Sequence, residues 1–538
     1  MKSLSLLSGS KTVWAAATLV TVGALALSRW RFAPRYLYSF DSVNFALALE
    51  KYDLNLHQPQ PPGYPLFVGL TRLLHWFISA PERVFLIAGL LAATLAVLWV
   101  WVLGEELFDP GSGLLAAALL AANPAFWLAG ITNQVRIFLA AGAVGVAWLS
   151  WHACQTASSR TWFYGAAVGL GVAAGFRPEL GLLLIPLLAW AGIRSRRSWK
   201  EWAVAGALLC LTVGAWLAVT VAGTQGFGAW LQLMWRYSQE QFHSSSLPFG
   251  ASAASAWDMV QKAVVWNGLG VLTWLWAVPF VLRKFSPNFV DSRAMFLATW
   301  FFPAFLFQAV IHIGDPDHAL STIPVLCLLG GAVLSRLLGR LSGSHWLYGL
   351  TAAAVLYGNA MLFFHPLGEP AIWCTYRAVK AQNWWVNATF HAIDELRRAR
   401  PVTVVDYGWP VSWRHLSYYF PDELLLVLQA DPLTHPDIST AWLVRYRRVQ
   451  QVLDLKGGEF KLSAGETIVW LLPPNQKYRD LLALACCRKH GELFYTDTVP
   501  GMHLRLGGYR FAVSPSDSEP APGRPEPLQR NMVRVQGR

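Results

Sequence analysis

The sequence predicts an α-helical polytopic membrane protein of about eleven transmembrane helices with a soluble C-terminal α/β domain. Of its 538 residues, 54% are hydrophobic and 14% charged, which is too apolar for a soluble chain of this length. The apolar residues also fall in runs long enough to cross a bilayer. After about residue 365 the runs shorten to strand length and charges become frequent, which predicts the appended domain.

The runs place spans near 12–29, 84–103, 113–131, 135–152, 162–176, 179–193, 202–222, 259–282, 294–313, 319–338 and 345–364. The chain carries 43 Lys and Arg against 31 acidic residues. The bases gather in short loops between spans rather than on one soluble face, so they orient the chain in a membrane and do not indicate nucleic acid. With a cytoplasmic N-terminus, Arg194, Arg196, Arg197 and Lys200, then Arg283, Lys284 and Arg293, then Arg336 and Arg340, all fall inside. That map needs residues 63–79 to lie in the outer interface, with Tyr64 and Trp76 at the ends and Arg72 and His75 between. A short crossing with a snorkelling Arg72 is the alternative. The first span has no clear small-residue cleavage site and reads as an uncleaved anchor.

The six cysteines show no metal spacing. Cys154, Cys210 and Cys327 read as small apolar packing residues, whereas Cys374, Cys486 and Cys487 allow one disulfide if their region is exported. In the C-terminal region, 402–405 and 467–472 have the character of buried strands and 379–399 has helical spacing. The domains are therefore 1–365, 366–513 and a disordered tail, 514–538, rich in Pro, Ser, Glu and Arg.

Two outer segments exceed what a turn needs. In 223–258, the residues Trp230, Trp235, Tyr237, Phe242 and His243 read as interfacial anchors. The other, 30–83, opens a helix with Ser39-Phe40-Asp41-Ser42 and continues into Gln58-Pro59-Gln60-Pro61-Pro62-Gly63-Tyr64-Pro65-Leu66. A carboxylate at a helix start is commonly a cap. Here a stiff proline turn follows it just past the membrane surface, and such a turn can hold a reactive group rigidly.

This order of first span, outer-loop Asp, Pro-Pro-Gly-Tyr-Pro-Leu turn and interfacial helix resembles the GT-C superfamily of membrane glycosyltransferases. The resemblance is to the protein O-mannosyltransferase-like branch, which uses polyprenyl-phosphate sugars, and it extends to about residue 365. It implies transfer of a sugar from a polyprenyl-phosphate donor to a glycan, lipid or protein acceptor on the outer side of the membrane, with inversion. Asp41 would be the general base. Arg177, in the polar turn Phe176-Arg177-Pro178-Glu179, would hold the phosphate, unless it merely pairs with Glu179 or snorkels to the interface. Arg136 is the second candidate for that work, and His57 and Tyr64 join the substrate-binding set. In His312-Ile313-Gly314-Asp315-Pro316-Asp317-His318, the residues Asp315 and His318 would line the pocket, although Asp-Pro also forms simple turns.

Many members of the family have a second Asp where this chain has Asn133, Gln134 and Arg136. No cofactor is required by the sequence, and the metal question stays open. Asp41, Asp53 and His57 would be the ligands of a divalent cation, at spacings that match no recognised signature. The expected home is a bacterial inner membrane with the active site on its outer face. The rival function is a transporter or flippase of lipid-linked saccharides, which would concentrate its polar residues near the midplane. A lipid-linked oligosaccharide polymerase or ligase is the second rival.

Overall fold

The computed structural model describes residues 11–132, 135–155, 159–282, 292–341, 345–365, 375–435, 437–455, 458–484 and 487–514. Asn133, Gln134, Arg283, Lys284, Cys374, Cys486 and the tail beyond Ser514 lie outside them. The chain divides into two compact units, Met1–Lys380 and Ala381–Arg538.

The first unit is all helical. It runs α1 (Lys11–Phe32), α2 (Phe40–Glu50), α3 (Pro65–His75), α4 (Pro81–Leu107), α5 (Pro110–Ala122), α6 (Pro124–Ala129), α7 (Ile137–Ala153), α8 (Arg160–Phe176), α9 (Glu179–Arg194) and α10 (Trp199–Ala222). It continues with α11 (Phe227–Phe242), α12 (Ala253–Gly268), α13 (Val278–Leu282), α14 (Ser292–Val310), α15 (Ile323–Leu341), α16 (His345–Phe364) and the start of α17 (Tyr376–Ala399). Among these, α4, α10, α14 and α15 are each long and apolar enough to cross a membrane unaided.

Helices stand at all eleven predicted spans, with three adjustments. The run 113–131 is broken at Asn123-Pro124, because the Asn123 side chain accepts the Ala125 and Phe126 N–H groups and starts α6. The Ala121 carbonyl freed by that break accepts from Arg29 Nη2 at 2.8 Å. The run 259–282 is α12, turns and α13 rather than one helix, and α15 starts later than predicted because Pro316–Ser321 forms a 3-10 turn. Cys210 is exposed on α10, so it is not the packing residue expected of it; Cys154 and Cys327 are buried.

Residues 63–79 contain only the eleven residues of α3, about 16 Å of helix, against a hydrocarbon core of about 30 Å. Trp76 and Phe77 at its end are 80% and 81% exposed. Arg72 does not snorkel. Its Nε and Nη2 donate to the Ala48 carbonyl at 3.1 and 2.7 Å, satisfying a free carbonyl in the last turn of α2.

The second unit contains the rest of α17, then α18 (Trp413–Tyr419) and α19 (Gln476–Leu484). Its strands are β1 (Val402–Asp406), β2 (Leu424–Leu428), β3 (Thr440–Arg445), β4 (Arg448–Asp454), β5 (Phe460–Leu462), β6 (Thr467–Leu471), β7 (Arg488–His490), β8 (Leu493–Asp497), β9 (His503–Leu506) and β10 (Tyr509–Val513). The seven-stranded sheet has the order β4-β3-β2-β1-β6-β8-β7, parallel only in its centre, β2-β1-β6. Its central strands β1 and β6 are buried along their whole length, as strands covered on both faces must be, and this matches the apolar runs at 402–405 and 467–472. The small sheet β5-β10-β9 packs against it through Trp470 and Phe511, with ring centroids 5.5 Å apart.

Candidate active site

Asp41 occupies the first turn of α2, but the cap there is Ser39. The Ser39 hydroxyl accepts the Ser42 N–H at 3.2 Å, and Ser42 Oγ answers the Ser39 N–H. The capping role that would explain an Asp at this position is thus already filled. Among the described residues the Asp41 carboxylate has no hydrogen-bond partner. Ser42 Oγ also donates to the Thr132 carbonyl at 3.2 Å, which ties this turn to the chain just before α7.

The turn after α2 brings Tyr64 underneath. The Gly63 N–H donates to the Gln60 carbonyl at 3.1 Å, and Gly63 has φ +107°. Any side chain there would run into the Tyr52 hydroxyl, so both backbone and space require glycine. Pro65 then opens α3 with its φ already set. A chain of aromatic rings fixes the helices around the site: Phe45 meets Tyr64 and Phe67, Phe67 meets Phe85 and Phe138, and Phe138 stacks on Phe176 at 4.6 Å. The residue after Phe176 is Arg177, which reaches back over the Tyr64 ring with its guanidinium carbon 5.2 Å from the centroid.

Arg177 does pair with Glu179, to which its Nε donates at 2.9 Å and its Nη2 donates as well. Both bonds go to one carboxylate oxygen, and Nη1 has no partner among the described residues. Arg136, at the start of α7, puts Nη1 on Asp315 at 2.5 Å and on Asp317 at 2.6 Å. The 312–318 loop is therefore held to α7 by one guanidinium. His318 Nδ1 is taken by the Asp315 backbone N–H at 3.1 Å, and burial together with Arg136 keeps this imidazole neutral.

Burial raises the Asp41 carboxyl above its ordinary range, against the opposing pull of Arg136 and Arg177; Asp315 adds to the rise and His57 opposes it. Asp41, Arg136, Arg177, Asp315 and Tyr64 thus share one electrostatic neighbourhood, and His57 stands at its edge on an exposed turn in the left-handed region.

Two members were missed in the sequence. Tyr237 of α11, read as an interfacial anchor, is half-buried, and burial and the Asp41 charge push its hydroxyl up to about 12. Asp317 is buried and takes half of Arg136. Period alone offered a hint for Tyr237, since Trp230, Leu233, Met234 and Tyr237 share the less exposed face of α11.

The family model for dolichyl-phosphate-mannose-protein mannosyltransferase matches residues 59–218. The fold is similar to that of ArnT from Cupriavidus metallidurans bound to undecaprenyl phosphate, at a TM-score of 0.56 and 14% identity, covering 90% of this chain and 98% of that one. This chain has the GT-C fold. ArnT in its apo state matches with the same values. The Archaeoglobus fulgidus oligosaccharyltransferase tethered with an acceptor peptide gives a TM-score of 0.41 at 13% identity over 76% of this chain and 63% of that one. No curated protein sequence matches the chain.

Among the described residues the cation-ligand set expected from sequence is not assembled. Asp53 is paired with Lys51 at 2.7 Å and bridged to Gln58. Among the described residues the convergent group is instead Asp315, Asp317 and His318, whose ligand atoms lie within 4.8 Å of one another. Both of those carboxylates already accept from Arg136 and the His318 Nδ1 is engaged, so a metal ion there would have to displace a guanidinium. The donors fit Arg136 better than a divalent cation.

Proposed function

We propose that this chain transfers a sugar from a polyprenyl-phosphate donor to an acceptor hydroxyl on the outer side of a bacterial inner membrane, with inversion. The observation that carries the proposal is the Asp41 carboxylate, half-buried, unbonded among the described residues and flanked by the buried Arg177 and the half-buried Arg136. The ArnT to which the fold is similar was crystallised with undecaprenyl phosphate, a lipid of the class the proposed donor would leave behind on transfer.

The chemistry needs few groups. The acceptor oxygen attacks the anomeric carbon from the face opposite the phosphate, a C–O bond forms, and the bond from that carbon to the phosphate oxygen breaks with its electron pair. The polyprenyl phosphate leaves as an anion and needs no proton. The acceptor's proton goes to Asp41, whose raised proton affinity suits a base. The unbonded Nη1 of Arg177 and the remaining nitrogens of Arg136 would hold the departing phosphate. The hydroxyls of Tyr64 and Tyr237 add neutral donors beside them, while His318 and Asp315 shape the pocket wall and His57 its rim.

The test is incubation of the purified protein with a panel of radiolabelled polyprenyl-phosphate sugars and membranes, for wild type and Asp41→Asn. The amide keeps the shape and removes the base, so turnover should fall about a hundred- to ten-thousand-fold with donor binding nearly unchanged. Transfer by Asp41→Asn within a few-fold of wild type would remove Asp41 from the mechanism. Vectorial movement of the intact lipid-linked sugar without transfer would favour the flippase reading.

A further inference from the structure

Residues 312–314 form one wall of an open groove of about 670 Å³, which lies between them, the end of α11 and the start of α12. That volume is within the range of ligand sites, about 300–1,000 Å³. Its walls are built rather than incidental. Ser245 and Ser246, just beyond α11, donate to the Ile311 and Val310 carbonyls at 3.3 and 2.9 Å, pinning one side of the groove to the end of α14.

The lining is hydrophilic, with Gln241, Ser244 and Ser255 offering amide and hydroxyl groups beside the carboxylates of Glu240 and Asp258. Lys262 pairs with Asp258 at 2.6 Å, and among the described residues no other ammonium, no arginine and no tryptophan, tyrosine or phenylalanine lines it. His312 lines it as well, and its buried Nδ1 has no hydrogen-bond partner among the described residues. The ring of His312 stands edge-on to that of His318, centroids 5.4 Å apart, and from there the path runs through Asp315 to Arg136. Gly314 lies against both rings, and a Cβ there would sit 3.3 Å from His318, tighter than most such contacts.

The two ends of the site therefore differ in charge. One holds Arg136 and Arg177, suited to phosphate. The other holds carboxylates and hydroxyls, which accept from and donate to sugar hydroxyls and repel phosphate. We propose that this groove admits the acceptor, and that the acceptor it fits is an uncharged, hydroxyl-rich saccharide. The inference rests on the glycosyltransferase reading above.

The test uses the full-length chain in native membrane vesicles supplied with the radiolabelled donor that wild type uses. Ser244→Cys is labelled after folding with a bulky maleimide and compared with the same variant before labelling, with labelled wild type as the control for Cys210. Transfer should fall at least about tenfold while donor retention stays unchanged. Maltohexaose should compete with transfer, whereas glucose 6-phosphate and a Ser/Thr-rich peptide should not. Undiminished transfer after labelling overturns the assignment, as does competition by the sugar phosphate or the peptide equal to that of the oligosaccharide. Asp41→Asn in the same vesicles separates the failures: if it abolishes transfer and the label does not, the groove falls and the enzyme reading stands.

Discussion

Three ionisable side chains carry separable consequences. Arg177 presents a planar fork on a buried turn, so Arg177→Ala should weaken donor use more than Arg177→Lys, which keeps the charge and loses the geometry. Donor titrations on both variants check this, and full donor affinity in Arg177→Ala would leave the residue as the partner of Glu179 alone. Asp41 must be ionised to act as a base, and burial raises its carboxyl despite the nearby Arg136 and Arg177. The acid limb of the pH–rate profile should therefore lie above the usual carboxylate range, with rate lost as pH falls through it. Asp406 works in the other direction, on stability. It is buried at the end of β1 with Oδ1 unpartnered among the described residues; burial raises it to about 8, opposed by the N–H groups of Trp413 and Trp409. Between 3.8 and about 8 the folded domain holds a proton that the unfolded chain releases. Stability should fall as pH rises across that window, by up to about 1.4 kcal/mol per pH unit. Asp406→Asn should flatten the slope in thermal melts.

At the level of elements, close helix contacts depend on missing side chains. A Cβ on Gly331 of α15 would collide with the Ser112 carbonyl and come within 2.8 Å of the Ala116 nitrogen on α5. The two helices are also clamped by Ser335 Oγ, which donates to Asp109 at 2.8 Å. Gly331→Val should cost about 1–3 kcal/mol through overpacking, measured as a lower melting temperature in detergent. The turn between α2 and α3 was legible from its prolines and glycine, because those residues restrict the backbone locally. The break at Asn123 was not. An apolar run reads as one span whatever its hydrogen bonds do, and the substitute partners here come from Asn123 itself and from Arg29, ninety-two positions away from Ala121.

For the whole molecule, the charge distribution predicts that the Asp41 loop and the region after residue 365 lie on the outer side, because the described basic loop 194–200 falls inside. A reporter fused after residue 380 should be active only if it functions outside the cytoplasm; a cytoplasmic signal would overturn the eleven-span map. By itself the sequence determined the membrane class, the positions of the apolar spans, the two central strands of the appended domain and the identity of Asp41, Arg136 and Arg177 as residues of interest. These follow from composition, from period and from the cost of placing charge beside apolar spans, all of which are local. Tertiary structure alone decided what those residues face. Ser39 rather than Asp41 caps α2, Arg136 closes on two carboxylates 179 and 181 positions away, and α11 brings Tyr237 to the site. Such pairings depend on how helices pack in three dimensions, and a linear pattern of apolar residues specifies which face is buried without specifying against what.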